Sequence, residues 1–137
     1  MNTFPISIYC PKGSAGANAQ NVWSNPLDVD VVVQTSYAPR FAPDTTVATD
    51  GTNYATITLA SSVDGGTTWV DLYSCTTNAT GGAALAVDVA TTMTINAAAT
   101  GASFRLARGG LLRVKKTYAG SGAAVGGSVV LSAVKVP

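Results

Sequence analysis

The sequence predicts an all-β fold, an antiparallel β-sandwich or jelly roll of about seven to nine short strands preceded by an extended N-terminal arm. Three observations predict it. Apolar and polar residues alternate along several short runs, which is the period of a half-buried strand. Turn residues separate those runs, at Asp50-Gly51, Asp64-Gly65-Gly66, Gly81-Gly82, Gly101, Gly109-Gly110 and Gly126-Gly127. The chain holds 22 Ala, 18 Thr, 16 Val and 14 Gly but no Glu and only 8 Leu, so long helices lack their usual residues. Its 137 residues fit one domain, long enough to bury a core without disulfides or metals.

The elements follow in order. Ile6 to Tyr9 reads as a weak first strand. Residues 10–26 show no periodicity and are rich in Gly, Ala, Asn and Ser, with Trp23 as their one large apolar residue. The sequence therefore divides into 1–26, an N-terminal arm or long loop, and 27–137, the sandwich domain. Two readings of the arm stand together. It lies on a neighbouring subunit or particle with Trp23 as a buried anchor, or it folds back over one end of its own sandwich. Residues 28–37 alternate, with Val29, Val31, Val33 and Tyr37 on one face and Asp28, Asp30, Gln34 and Ser36 on the other. Pro39 and Pro43 make residues 38–44 a fixed bend rather than a strand interior. Residues 54–60 put Ile57 and Leu59 inward, and residues 69–74 do the same with Val70 and Leu72. Further strands are expected at 85–89, 92–96, 103–107, 111–118 and 128–136, with room for one helical turn at Ala97-Ala98-Ala99.

Composition excludes several kinds of chemistry. Without His there is no Ser-His-Asp triad, no imidazole acid or base and no His-ligated zinc. All seven acidic residues are Asp, and no spacing selects two of them as a catalytic pair. No enzyme activity, cofactor or metal is expected. Asp28 and Asp30 could join Asp44 or Asp50 around a calcium ion, but solvated edge charges explain them more simply. Cys10 and Cys75 read as reduced thiols rather than an essential bridge. The glycine-rich stretches at 13–16 and 120–122 lack the Lys-Ser/Thr ending of a phosphate loop. No apolar run reaches the roughly 18 residues of a membrane span, and Met1 to Lys12 has no cationic-then-apolar leader. Net charge is +1, so no nucleic acid and no membrane partner is expected.

That charge is unevenly placed. Residues 1–100 carry a net −5 and residues 101–137 a net +6. Arg105, Arg108, Arg113, Lys115 and Lys116 are either a solvated basic strand face or a docking surface for an acidic partner or another copy. Together with Trp23 they are the candidate interface residues. The sharpest local motif is Ser62-x-Asp64-x-Gly66-x-Thr68-Trp69. It matches the Asp-box of sialidase-like propellers, which need several copies at blade spacing, and this chain has one. It predicts a stabilised hairpin turn instead. Asp64 accepts from backbone amides, the glycines permit positive φ, and Trp69 covers the turn.

A longer pattern runs from Val33 onward. A valine-rich strand meets a Pro-containing bend. Then come Asp50-Gly51-Thr52-Asn53-Tyr54-Ala55-Thr56-Ile57-Thr58-Leu59 and the Gly-Gly-Thr-Thr-Trp hairpin. Gly109-Gly110-Leu111-Leu112-Arg113-Val114 precedes a glycine-rich loop and a last valine strand. Over residues 30–137 this resembles the small β-sandwich virion proteins of tailed bacteriophages, of the capsid decoration or head-fibre type. The resemblance implies a homo-oligomer, trimeric by preference, assembled in the host cytoplasm and bound to the major capsid protein or other virion proteins. It implies no catalytic residues. The alternatives are a tail, tail-fibre or receptor-binding module, and a carbohydrate-binding module with Trp23, Tyr37, Tyr54, Trp69 and Tyr73 as its aromatic platform.

Overall fold

A computed structural model of the chain describes residues 2–137. Two antiparallel sheets pack face to face as a β-sandwich. The elements are β1 (Thr3–Cys10), β2 (Ala19–Ser24), β3 (Asp30–Val33), β4 (Arg40–Pro43), β5 (Ala55–Ser62), β6 (Val70–Thr76), β7 (Thr91–Thr92), β8 (Thr94–Ile95), β9 (Arg105–Leu106), β10 (Leu111–Tyr118) and β11 (Gly127–Val136). A single 3-10 turn spans Gly101–Phe104. Three of the eleven strands have only two residues, which is why the sequence pattern resolves fewer.

The spine of the front sheet is β11. Along one edge it pairs all eight residues of β1, from Thr3 opposite Val134 to Cys10 opposite Gly127. Its other edge is shared end to end by β4, against residues 127–130, and β3, against residues 133–136. The spine of the back sheet is β10, between β2 and β5, and β6 and β8 complete that sheet. Alternation fills the interior. Ile6, Ile8 and Cys10 of β1 face Val129, Leu131 and Ala133 of β11 on one layer, with Leu112 and Val114 of β10 and Ile57 and Leu59 of β5 on the other. A bulge between β5 and β6 turns both Leu72 and Tyr73 inward, and the Tyr73 ring meets Phe104 edge-on at 6.1 Å.

The N-terminal segment is no arm. Ile6, Ile8 and Cys10 sit in the core, and residues 19–24 form the edge strand of the back sheet against β10. Trp23 packs half-buried against its own core rather than waiting for a partner. The division at residues 26 and 27 therefore cuts through both sheets. The proline bend is also a strand. Pro39 lies just outside β4, and Pro43 ends it where no donor is needed. The N–H of Asp44 donates to Gly126 O, so the ring nitrogen of Pro43 faces away from β11. Residues 85–89 form no strand, only a bridge between Leu85 and Val47. The three alanines at 97–99 lie in a turn headed by Asn96, whose Oδ1 accepts from Ala98 N.

One end is closed by glycine. A Cβ at Gly127, where φ is 148°, would stand 2.1 Å from Ala42 O, so no other residue lets β11 enter between β1 and β4. On one side, residues 91–95 pass from β7 in the front sheet to β8 in the back sheet, with Met93 buried between them. On the opposite side lie the two open edges, β1 and β2. Pro5 removes a donor from the first, and Asn21 caps across both, donating from Nδ2 to Tyr9 O and accepting Val22 N–H at Oδ1.

Candidate interaction faces

Ser62, Asp64, Gly66, Thr68 and Trp69 build one hydrogen-bonded turn between β5 and β6. Asp64 Oδ1 accepts from Thr68 N at 2.8 Å and from Ser62 Oγ at 2.8 Å. Ser62 Oγ in turn accepts from Gly66 N at 2.9 Å, and Trp69 Nε1 donates to Gly66 O at 3.0 Å. Gly65 and Gly66 take φ of 71° and 91°. The guanidinium of Arg113 lies 4.1 Å over the Trp69 ring, so β10 holds the hairpin down from the next strand but one. These bonds favour the charged carboxylate. The Thr68 amide and then the Ser62 hydroxyl hold the Asp64 carboxyl down at about 2. Its folded value lies below the unfolded value of about 4, so its contribution is present above pH 4 and lost as pH falls through 2. Asp64→Ala should lower the melting temperature by a few degrees at pH 7. The gap to the native protein should close between about pH 4 and 2. A gap that does not change with pH would remove the ionised carboxylate from the account.

The basic residues do not form one free face. Arg105 pairs with Asp30 at 2.6 Å, Arg108 with Asp28 at 2.8 Å and Lys115 with Asp71 at 3.3 Å. Three basic residues of 101–137 thus pair with aspartates of the first hundred residues within one chain. Lys116 is not on the surface at all. It shares the inward parity of Leu112 and Val114, is fully buried, and donates to Val125 O at 2.8 Å and Pro11 O at 3.1 Å. Its ammonium ties the β1–β2 connection to the β10–β11 connection.

The same pairings occupy the calcium candidates. Asp28 and Asp30 each face an arginine, and Asp50 Oδ1 accepts from Thr52 N and Asn53 N in a local turn. Cys10 and Cys75 are free thiols, and burial raises them to about 11 and about 12, far above the reactive range. Of the five aromatics offered as a platform, Tyr73 is buried, Trp23 is half-buried on the core, Tyr54 is half-buried and Trp69 lies under Arg113. Tyr37 is the one that stands free, with 69% of its surface exposed. Its expected inward place on the β3 face does not occur, because β3 ends at Val33.

Tyr37 is carried by a break in the front sheet. Between the β3 and β4 pairings, Leu131 and Ser132 of β11 face six residues, 34–39. The extra residues leave the sheet plane, anchored where Gln34 N donates to Ser132 O and Ser132 Oγ to Gln34 Oε1. A shallow cleft lies on each side. One, of about 330 Å³, is lined by Phe4, Pro5, Tyr37, Arg40 and Val130. The other, of about 450 Å³, is lined by Val32, Gln34, Phe104, Val134 and Val136. Such a bulge re-aims a side chain in the middle of a sheet. Comparison with protein-family models, with curated proteins and with solved structures finds no match to this chain.

Proposed function

We propose that this protein is a virion structural protein of a tailed bacteriophage that decorates or cements the capsid exterior by bridging coat subunits. The observation that carries the reading is the bulge at residues 34–39. It lifts Tyr37 between two clefts on a sheet face that also carries Tyr9, Val130 and the charged Arg40. A rigid aromatic standing beside apolar clefts is the usual form of a binding anchor. A chain in which 11% of the residues are charged suits a protein set down in many copies, where like charges would accumulate. The pattern over residues 30–137 that resembles capsid decoration proteins supports the same reading.

The mechanism is physical rather than chemical. Each contact buries several hundred Å² of coat surface. Engaging several coat subunits at once raises the effective affinity without strengthening any one contact. A protein that binds the assembled shell and not its dissociated parts stabilises the shell by mass action. Copy number on purified particles tests this: hundreds per particle for a head decoration, about 3, 6 or 12 for a tail part, none if the reading is wrong. Tyr37→Ala should melt like the native protein and bind particles about ten- to a hundredfold more weakly. Unchanged binding would move the attachment site off the front sheet.

A further inference from the structure

We infer that the free edge of β1 pairs with the β1 edge of a second copy of this chain, antiparallel, about a two-fold axis at Ser7. Alternate residues of an antiparallel strand turn both backbone groups to the same edge. Asn2 O accepts from Lys135 N, so Phe4, Ile6, Ile8 and Cys10 bond to β11 in step with it. Thr3, Pro5, Ser7 and Tyr9 turn their backbone groups the other way, and no strand among the described residues pairs with that side. Two of these outward positions are altered. Pro5 has no N–H, and Tyr9 O already accepts from Asn21 Nδ2 at 3.0 Å.

The places of these two alterations select the partner. Pro5 and Tyr9 lie equally far on either side of Ser7. A two-fold axis at Ser7 therefore sets Pro5 of each copy opposite Tyr9 of the other. The donor that Pro5 lacks would have gone to the acceptor that Asn21 has already filled, so neither loss leaves a gap. The remaining groups match. Ser7 of each copy gives its N–H to the other's carbonyl, and each Tyr9 N–H donates to the facing Pro5 O. An unrelated strand brings an ordinary acceptor to Pro5 and finds no donor there. The features that blunt this edge to other strands thus admit its own copy. Asn21 leaves room for the pairing. It shares the inward parity of Trp23 on β2, so its amide reaches Tyr9 O from the back-sheet side and not in the plane of the front sheet. The side chains agree with the backbone. Tyr9, 50% exposed, comes to lie across from the exposed Pro5 ring on the outer face, and the contact occurs twice. The axis stands perpendicular to the sheet, so the two front sheets become one and the Tyr37 faces of both copies look the same way. The inference goes beyond the decoration reading and is tested on the free protein.

Sedimentation equilibrium over a concentration series, at low and at high salt, tests it. The native protein should show a monomer–dimer equilibrium that salt leaves nearly unchanged, since bonds between uncharged main-chain groups are not screened. Ser7→Pro is the sharpest variant. It removes the central donor from both copies but costs the folded chain no bond, because Ser7 N–H faces away from β11. It should melt like the native protein and raise the dissociation constant about a hundredfold or more. Tyr9→Ser should raise it about tenfold. Amide hydrogen exchange on the native chain gives a second reading, which holds even if Ser7→Pro fails to fold. The Ser7 and Tyr9 amides should exchange more slowly as concentration rises, while those of Ile6 and Ile8 stay slow throughout. A native protein that stays monomeric, or forms trimers, overturns the inference. So does a folded Ser7→Pro chain that dimerises as the native one does, or exchange at Ser7 that ignores concentration.

Discussion

A chain shortened to residues 27–137 is expected not to fold. It loses β1 and β2, one strand from each sheet. Ile6 and Ile8 are buried to within a few per cent, and burial of each side chain is worth about 1.5–3 kcal/mol. Their loss alone removes about 3–6 kcal/mol from a total stability that rarely exceeds about 15. The shortened chain also leaves one edge of β11 unpaired over residues 127–134. Near-ultraviolet circular dichroism should be flat and thermal unfolding should lack a cooperative step. A sharp melt from the shortened chain would show that β1 only rests on a sheet complete without it.

Replacement of Lys116 is the next largest change. Lys116→Ala leaves a void where a long side chain was fully enclosed, and strips the buried carbonyl of Val125 and the part-buried carbonyl of Pro11 of the ammonium's hydrogen bonds. Cavity formation costs about 2–5 kcal/mol, and the buried Val125 carbonyl left unsatisfied adds about 1 kcal/mol or more. A loss of about 4 kcal/mol is expected, read from urea unfolding midpoints at constant slope. Lys116→Met separates the two causes. It refills the void, keeps the Val125 carbonyl unsatisfied, and should cost about 1–2 kcal/mol. Equal losses in Ala and Met would assign the whole effect to the ammonium. A Met variant as stable as the native protein would assign it all to packing.

The middle of the fold is legible in the sequence because its signals are local. Ile57 and Leu59 alternate with threonines, and the Ser62 to Trp69 hairpin closes on hydrogen bonds spanning at most four residues. The pairing of β1 is not legible, since its partner lies more than a hundred residues away and nothing local announces it. Even so, Ile6, Ile8 and Cys10 share one parity, which was a usable signal for a strand longer than Ile6 to Tyr9. Lys116 carried the same signal. It falls in step with Leu112 and Val114, and its charge led it to be counted with the exposed basic residues instead. A running total of charge along the chain ignores folding: Asp30 and Arg105 are far apart in sequence and 2.6 Å apart in space. The bulge at Tyr37 is illegible for another reason. Residues 34–37 continue the alternation of β3, and only the position of Arg40 opposite Val130 reveals that six residues bridge a gap of two.

The partnership of β1 with β11 also sets an order of events. The ribosome makes β1 early and β11 more than a hundred residues later. Until β11 has been made, the front sheet has no spine: β1 has nothing to pair with, and β3 and β4 have only the two-residue strands β9 and β7. Meanwhile the back sheet can grow by neighbours, since β5 and β6 form a hairpin and β10 then adds to β5. Vectorial synthesis therefore presents the β5–β6 hairpin first, and completes the back sheet only when its own spine, β10, has been made, with its apolar face uncovered until β11 follows. Closure comes as a late event of high contact order, in the slow range of all-β domains rather than the microseconds of helical ones.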